Sequence, residues 1–301
     1  MTLAKQYLVR RISPEESYED LLAFPRYFEI ETVNACNARC PMCPIAWERE
    51  SGLMSDELFE KIAQEIGNHP EVKRVHLYRD GEPLLDKRLH EKVRKLKSLK
   101  VKRVGISTNA ALLHPSKAFG LLEAGLDEII LSIDSLNPEV FAQIRLGLEL
   151  EPVLQNSLKF ISLRDNLRSK CQVWVRMIRQ ESNKDEWPSY SQYWREYLQP
   201  TDRLDYRDIH NWGSQLADFK PVAPANTELP CVALWSLMCI HADGRVPMCN
   251  VDTADKYPLG NVRDATIEEL WQSQTQAMRR HAHMTGQRDT YPICKGCTVW
   301  S

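Results

Sequence analysis

The sequence predicts an α/β fold: an open, partial (β/α)6 barrel followed by a small C-terminal domain. Three observations predict it. Strand-like and helix-like segments alternate over the first two-thirds of the chain, which calls for a parallel sheet with helical crossovers. The alternation breaks over 211–230, where Pro221, Pro224 and Pro230 mark a linker. Beyond it, Cys231–Ser301 is short for an independent core, yet it is rich in cysteine.

The elements follow in order. Phe28–Val33 reads as a strand, and a cysteine-rich loop follows it. A helix from Asp56 to about Gly67 has Ser55 or Asp56 as its cap, with Leu58, Phe59, Ile62, Ala63 and Ile66 at helical spacing. Arg74–Tyr78 is a second strand and Lys87–Leu99 a basic amphipathic helix. Val104–Thr108 is the third strand, followed by a helix, Pro115–Ala124, that Gly125 stops. After the fourth strand, Glu128–Ile133, come helical stretches Pro138–Ile144 and Glu151–Arg168. Gln172–Ile178 and Arg203–Arg207 are the fifth and sixth strands, with a helix, Glu186–Tyr197, between them. In the C-terminal piece a hairpin is expected at Asp243-Gly244 and a helix over Ile267–Arg280. Residues 1–210 thus form the barrel, 211–230 the linker and 231–301 the small domain. A barrel of this kind carries its chemistry at the C-terminal ends of its strands.

Composition sets the outer limits. The chain has 301 residues, 43% hydrophobic and 27% charged, ordinary values for a globular protein. A net charge of −2 implies no general attraction to nucleic acid or to an anionic membrane. The basic start, Met1 to Arg11, lacks the apolar run of a secretory signal, and no segment is long and apolar enough to span a bilayer, so the cytosol is expected. In a reducing compartment clustered cysteines more often bind metal than pair, and the odd total of nine argues against simple pairing.

Cys36, Cys40 and Cys43 are separated by three residues and then two, directly after the first strand. Three thiolates can ligate three irons of a [4Fe–4S] cluster and leave the fourth iron open. A zinc loop is the plain alternative, but zinc takes four ligands and no fourth cysteine or histidine stands nearby. The motif and its place resemble the radical S-adenosylmethionine (SAM) superfamily, and the resemblance covers nearly the whole chain. It implies that SAM chelates the open iron and that one-electron reduction, from a flavodoxin- or ferredoxin-type donor, yields a 5′-deoxyadenosyl radical. Further stretches match in order. Asp80-Gly81-Glu82-Pro83 resembles the family's GGEP motif, with Asp80 in place of its first glycine. The resemblance assigns SAM contacts to Gly81, Glu82 and Pro83, to Ser107 and Asn109 at the third strand's end, to Ser132 and Asp134 at the fourth, and to Arg176 in the fifth. Asp134 reads equally as a helix cap and Arg176 as a surface ion pair.

Cys231, Cys249, Cys294 and Cys297 form a second set, enough to ligate an auxiliary [4Fe–4S] cluster in full, with zinc again the alternative. Asp243-Gly244-Arg245-Val246-Pro247-Met248-Cys249, Leu259-Gly260-Asn261-Val262 and Ile267–Trp271 resemble the C-terminal SPASM or twitch domain of radical SAM enzymes. Four cysteines fit the single-cluster twitch form better than the seven of full SPASM. The layout is similar to the compact aminocyclitol dehydrogenases of butirosin antibiotic biosynthesis. Two cysteines remain. Cys171 precedes a strand at the barrel bottom and reads as structural; Cys239 lies on Leu237–Ile240, leading to the turn that carries Cys249.

Three activities follow from the resemblance. In the first, a sugar- or aminoglycoside-like substrate loses a C–H hydrogen and regains one from the Cys239 thiol on the other face, as in neomycin-type epimerases; the alternative for Cys239 is core filler or a substitute cluster ligand. In the second, the auxiliary cluster takes an electron and an alcohol becomes a ketone. In the third the substrate is a ribosomal peptide, a reading lowered by the short stretch before the first strand. Asp80, Glu82, His76, Arg79, His210, Asn211 and Trp212 stand near strand ends, as amino-sugar contacts or as solvated loop residues.

Overall fold

The computed structural model describes residues 2–45, 50–213, 215–216 and 228–299. Of the expected linker, 214 and 217–227 lie outside the described residues. Six strands form where the sequence pattern puts them: β1 (Tyr27–Ile30), β2 (Arg74–His76), β3 (Val104–Thr108), β4 (Glu128–Ser132), β5 (Gln172–Arg179) and β6 (Arg203–Asp208). A seventh, β7 (Leu237–Ile240), comes from the C-terminal piece and pairs in parallel with β1, Glu29 opposite Cys239. The sheet order is β6-β5-β4-β3-β2-β1-β7, all parallel, with β6 and β7 at its two edges. The expected six-stranded sheet is therefore seven-stranded, and the small domain is rooted in it. At the Asp243-Gly244 turn the chain reverses as expected, His241 N donating to the Arg245 carbonyl at 2.9 Å across it. The chain then enters β8 (Arg245–Val246), which pairs antiparallel with β9 (Gly260–Asn261). Gly244 has φ +92° there, and a Cβ would stand 2.5 Å from Asn261 Oδ1.

Strand alternation separates two faces. Phe28, Ile30, Val75, Ile106, Ile129, Leu131, Val173, Val175, Met238 and Ile240 share one core with helix residues Phe59, Ile62, Val93, Leu121, Phe160 and Trp194. Each such burial contributes roughly 1.5–3 kcal/mol. The other face carries Glu29, His76, Ser107, Glu128, Ser132, Arg176 and Cys239, an inner surface that is mostly polar. The helix Asp56–Gly67 starts as its cap predicts, with Ser55 Oγ accepting from Leu58 N at 3.2 Å. The expected helix over 267–280 is two helices, Ile267–Gln272 and Gln274–Met284, because Ser273 ends the first and caps the second.

The N-terminal helices Leu3–Ile12 and Tyr18–Ala23 cover the C-terminal piece. Leu8, Ile12, Tyr18 and Leu21 share a core with Val232, Trp235, Met248, Ile293, Cys294 and Cys297. Trp235 Nε1 donates to Tyr18 Oη at 3.1 Å, and Trp271 Nε1 to the Leu21 carbonyl at 3.1 Å. Among the described residues no helix is long and apolar enough to cross a membrane.

Candidate active site

With all main-sheet strands parallel, their C-terminal ends gather the loops at one end. The loop after β1 carries Cys36, Cys40 and Cys43. Its base is closed by a Val33–Leu53 bridge and by Asn34 N donating to the Gly52 carbonyl at 2.8 Å. Neighbouring elements hold it from several sides. Asn109 Nδ2 donates to Asn37 Oδ1 at 2.8 Å, Trp212 Nε1 to the Met42 carbonyl at 3.0 Å, and Thr253 Oγ1 to the Pro44 carbonyl at 2.7 Å. The last bond ties the first cysteine loop to the segment after Cys249. Burial raises the half-buried Cys36 thiol above its ordinary range, while Cys43 is exposed on the loop. Iron would therefore displace protons from these thiols on binding.

The motif 80–83 packs directly under that loop. A Cβ on Gly81 would lie 2.3 Å from the Val33 carbonyl and 2.6 Å from that of Ala35, so only glycine fits. Glu82 is buried, and its carboxylate accepts from Thr108 Oγ1 at 2.6 Å, Asn109 N at 2.9 Å and Leu84 N at 3.0 Å. Pro83 opens the short 3-10 turn Pro83–Leu85. Glu82 and Asn109 thus brace the cysteine loop, Asn109 through Asn37. Ser107 and Ser132 face each other with their hydroxyl oxygens 3.2 Å apart.

Asp134 is fully buried and accepts from Ile178 N at 2.7 Å and from Arg145 Nε at 2.6 Å. Arg145 Nη1 then reaches to 3.7 Å from Cys40 Sγ. Neither a helix cap nor a free acid, Asp134 places a cation beside the cysteine trio. Sequence reasoning passed over Arg145; its signal was a basic residue on the helix turn following Ser132-Ile133-Asp134. Arg176 stacks its guanidinium 3.7 Å from the Trp174 ring centroid, and its buried Nε has no hydrogen-bond partner. His76 is a buried partner of Glu128, at 2.8 Å. His210 packs edge-on against Trp212, with centroids 4.4 Å apart.

The second cysteine set also comes together. Cys249, Cys294 and Cys297 share one cluster of packed residues, and Cys231 acts electrostatically on Cys249 and Cys294. Burial raises Cys231 to about 11 and Cys294 to about 12. Arg279 is buried beside Cys249 and Cys294, and its Nε and Nη1 have no hydrogen-bond partner. Donors without acceptors beside two of these thiols fit a sulfide-rich cluster, whose sulfurs accept hydrogen bonds. Arg288 Nη2 donates to the Cys294 carbonyl at 3.1 Å and holds the terminal loop.

Cys239 joins Ala233 and Leu237 in a small cluster against which Cys231 and Cys249 pack, so the expected nearness to the auxiliary set is observed. Its thiol is 1% exposed and lies 3.7 Å from Glu29 Oε2. Arg79 crosses the remaining gap: Nη2 donates to the Asp252 carbonyl at 2.9 Å, and Nε lies 3.3 Å from Asp80 Oδ2. Cys171 is buried below β5, as a structural residue would be.

Residues 30–163 match the model described as the radical SAM superfamily, and 231–298 match SPASM, an iron–sulfur cluster-binding domain. A tungsten-containing aldehyde ferredoxin oxidoreductase cofactor-modifying protein of Pyrococcus furiosus is 25% identical over 91% of this chain and 87% of its own. A GTP 3′,8-cyclase of Limosilactobacillus fermentum is 27% identical over 77% of this chain and 64% of its own. BtrN in complex with AdoMet and 2-DOIA superposes with a TM-score of 0.63 at 20% identity, covering 91% of this chain and 92% of that one. Native anSMEcpe with bound AdoMet gives 0.65 at 19% identity, covering 91% and 89%. At these identities the structural likeness speaks to the fold alone.

Proposed function

This chain is a radical SAM superfamily enzyme with a SPASM iron–sulfur domain, and on that premise we propose that it oxidises a hydroxyl-bearing small molecule by two electrons. SAM and a [4Fe–4S] cluster with one open iron together supply a 5′-deoxyadenosyl radical that removes a hydrogen atom from carbon. Cys36, Cys40 and Cys43 would hold that cluster; Cys231, Cys249, Cys294 and Cys297 would hold the auxiliary one. A flavodoxin- or ferredoxin-type protein would deliver the electron.

The chain's own residues divide the remaining work. Arg145, fixed by Asp134, presents a cation beside Cys40 suited to a carboxylate. Gly81 brings backbone close to the loop, and Glu82, Pro83 and Asn109 keep it there. The Ser107 and Ser132 hydroxyls and the Arg176 guanidinium line the polar inner face, where a nucleoside would find donors and acceptors.

The observation that carries the oxidation reading is Arg79. It runs from Asp80, in the loop after β2, to the Asp252 carbonyl, three residues past Cys249, while Cys239 on the inner-face side of β7 packs against Cys231 and Cys249. Electron transfer from a substrate radical needs such nearness. Epimerisation has its own support, because Cys239 is on the inner-face side of β7 opposite Glu29. It ranks second because a hydrogen donor must meet a substrate carbon, whereas this thiol is buried against a carboxylate.

Anaerobic turnover in D₂O with 2-DOIA, the molecule bound in the BtrN complex, and, separately, with the Cp18Cys peptide bound in a further anSMEcpe structure decides among the readings. Oxidation of 2-DOIA gives a ketone without solvent deuterium at the reacting carbon. Epimerisation gives an inverted carbon bearing one deuterium, and a normal inversion by Cys239→Ala would remove the thiol from that route. Product from the peptide alone would replace the small-molecule reading with a maturase.

A further inference from the structure

A cleft of about 680 Å³ lies between the N-terminal helices Leu3–Ile12 and Tyr18–Ala23 and the helix Gln274–Met284. Small-molecule pockets span roughly 300–1,000 Å³. None of the residues lining this one comes from the loops that carry the cysteines, so it is a second concavity, apart from the strand ends.

The most buried residues lining it are Arg280 and Tyr18, 6% and 8% exposed. Arg280 Nε donates to the Leu234 carbonyl at 3.0 Å, and the guanidinium lies 4.4 Å from the Trp271 ring centroid. Its Nη2 is buried without a hydrogen-bond partner, and no carboxylate among the described residues pairs with the group. Burial pulls Arg280 down to about 10, with Tyr18 opposing it, so the guanidinium is charged at neutral pH. A buried cation left unpaired is costly, and a bound anion removes that cost.

Two further donors face the same space. Tyr18 Oη accepts from Trp235 Nε1 at 3.1 Å, which leaves its own O–H to donate. Lys5 Nζ stands 4.3 Å from the Tyr18 ring centroid and only loosely meets exposed Glu19, at 4.0 Å. Lys5 and Arg280 against Glu19 leave one positive charge among the lining residues, with His281 counted neutral. One positive charge matches a monocarboxylate better than a doubly charged phosphate. So does the guanidinium: with Nε taken by Leu234, its Nη edge presents two parallel N–H groups, the fork that a carboxylate fits. Leu22 and Met284 give the cleft an apolar wall for the rest of such a molecule.

We propose that this cleft binds a small organic monocarboxylate, its charged end held by Arg280, Tyr18 and Lys5 and its apolar body laid against Leu22 and Met284. The reading is independent of the reaction catalysed at the strand ends.

Anaerobic titration calorimetry on the cluster-loaded protein tests it with three probes: hexanoate, hexanol and inorganic phosphate. Hexanol keeps the apolar body without the charge, and phosphate keeps a charge without the body. Hexanoate should bind at one per chain, about tenfold more tightly than either, the worth of one charge-assisted pair. Arg280→Gln should weaken it by about the same factor. Because Arg280 also supports Trp271 and Leu234, a second variant leaves it in place: Ala277, exposed on the cleft wall, becomes Trp in Ala277→Trp and should block hexanoate by filling the space. Glu19→Gln removes the rim's negative charge and should tighten hexanoate about threefold, as an exposed charge does. Hexanoate that fails to bind the wild type, or that binds Ala277→Trp or Arg280→Gln as it binds the wild type, overturns the proposal. Hexanol binding as tightly as hexanoate overturns the carboxylate's part in it, and phosphate binding more tightly than hexanoate overturns the ligand class.

Discussion

Asp134 holds Arg145 against the first cysteine loop: its Oδ2 accepts from Arg145 Nε at 2.6 Å while Arg145 Nη1 lies 3.7 Å from Cys40 Sγ. The acid is fully buried, so the cation is both its neutraliser and its cargo. Burial alone would lower the Arg145 pKa, but Asp134 and Cys40 raise it, so the guanidinium stays charged.

Arg145→Gln should therefore do two things. It strands a buried carboxylate, which costs about 3–5 kcal/mol, visible as a lowered thermal midpoint. It also weakens SAM binding by about tenfold, one charge-assisted pair's worth, as read by equilibrium dialysis. Adding Asp134→Asn should recover part of the stability and none of the SAM affinity; recovery of both would mean that Arg145 acts only as Asp134's counter-ion.

Gly81→Ala places a methyl 2.3 Å from the Val33 carbonyl, and backbone on both sides has nowhere to go. The strand-exit loop must shift, and the cysteine trio moves with it. Iron content after reconstitution should fall by about half, the share of one of two [4Fe–4S] clusters, while Gly286→Ala, where a Cβ meets nothing within 4 Å, should leave iron content unchanged.

The barrel floor should be acid-sensitive. Burial pulls His76 from 6.5 down to about 4, against the pull of Glu128. Burial pushes Glu128 up, but His76, Arg74 and Arg103 outweigh it and hold the acid at about 2. As pH falls from 6.5 to about 4, the unfolded chain takes up a proton that folded His76 refuses, so stability drops by up to about 1.4 kcal/mol per pH unit. Glu128's contribution is lost lower, between its ordinary value and about 2. Thermal midpoints between pH 7 and 5 should fall less steeply for His76→Gln than for wild type; parallel curves would show that His76 titrates normally. His210 and His283, also lowered to about 4 by burial, keep part of the slope in the variant.

Two four-iron clusters mean about eight irons per chain. Cys294→Ala combined with Cys297→Ala should leave about four, with SAM still binding. Eight irons in that variant would disqualify the C-terminal pair as ligands.

Local pattern carried most of this fold. Helical spacing from Leu58 to Ile66, the Ser55 cap and the apolar alternation of β3 to β5 act within a few residues, so their signals sit side by side in the chain. The cysteine trio was legible from its spacing after the first strand, and the GGEP-like stretch from its resemblance to the family motif. What escaped depends on distant partners. Leu237–Ile240 is four buried residues that suit any buried strand, and nothing within it names β1 as neighbour. Arg145 and Arg79 look like surface residues until Asp134 and Asp252 are brought beside them. Residues 3–23 drew no element assignment from the sequence, yet their helices bring Leu8, Ile12 and Leu21 over the C-terminal core.

The pairing of β7 with β1 also imposes a schedule on synthesis. β1 is translated early, but its outer edge has no partner until Leu237–Ile240 has left the ribosome. At about 5–20 residues per second that interval is roughly 10–40 s, during which an unpaired strand edge, a hazard for misassociation, flanks the loop bearing Cys36, Cys40 and Cys43. Iron delivered to the nascent chain would reach thiols whose supporting contacts, Trp212 and Thr253 among them, do not yet exist. The first cysteine loop thus gains its full set of supporting contacts only once the last third of the polypeptide has been made.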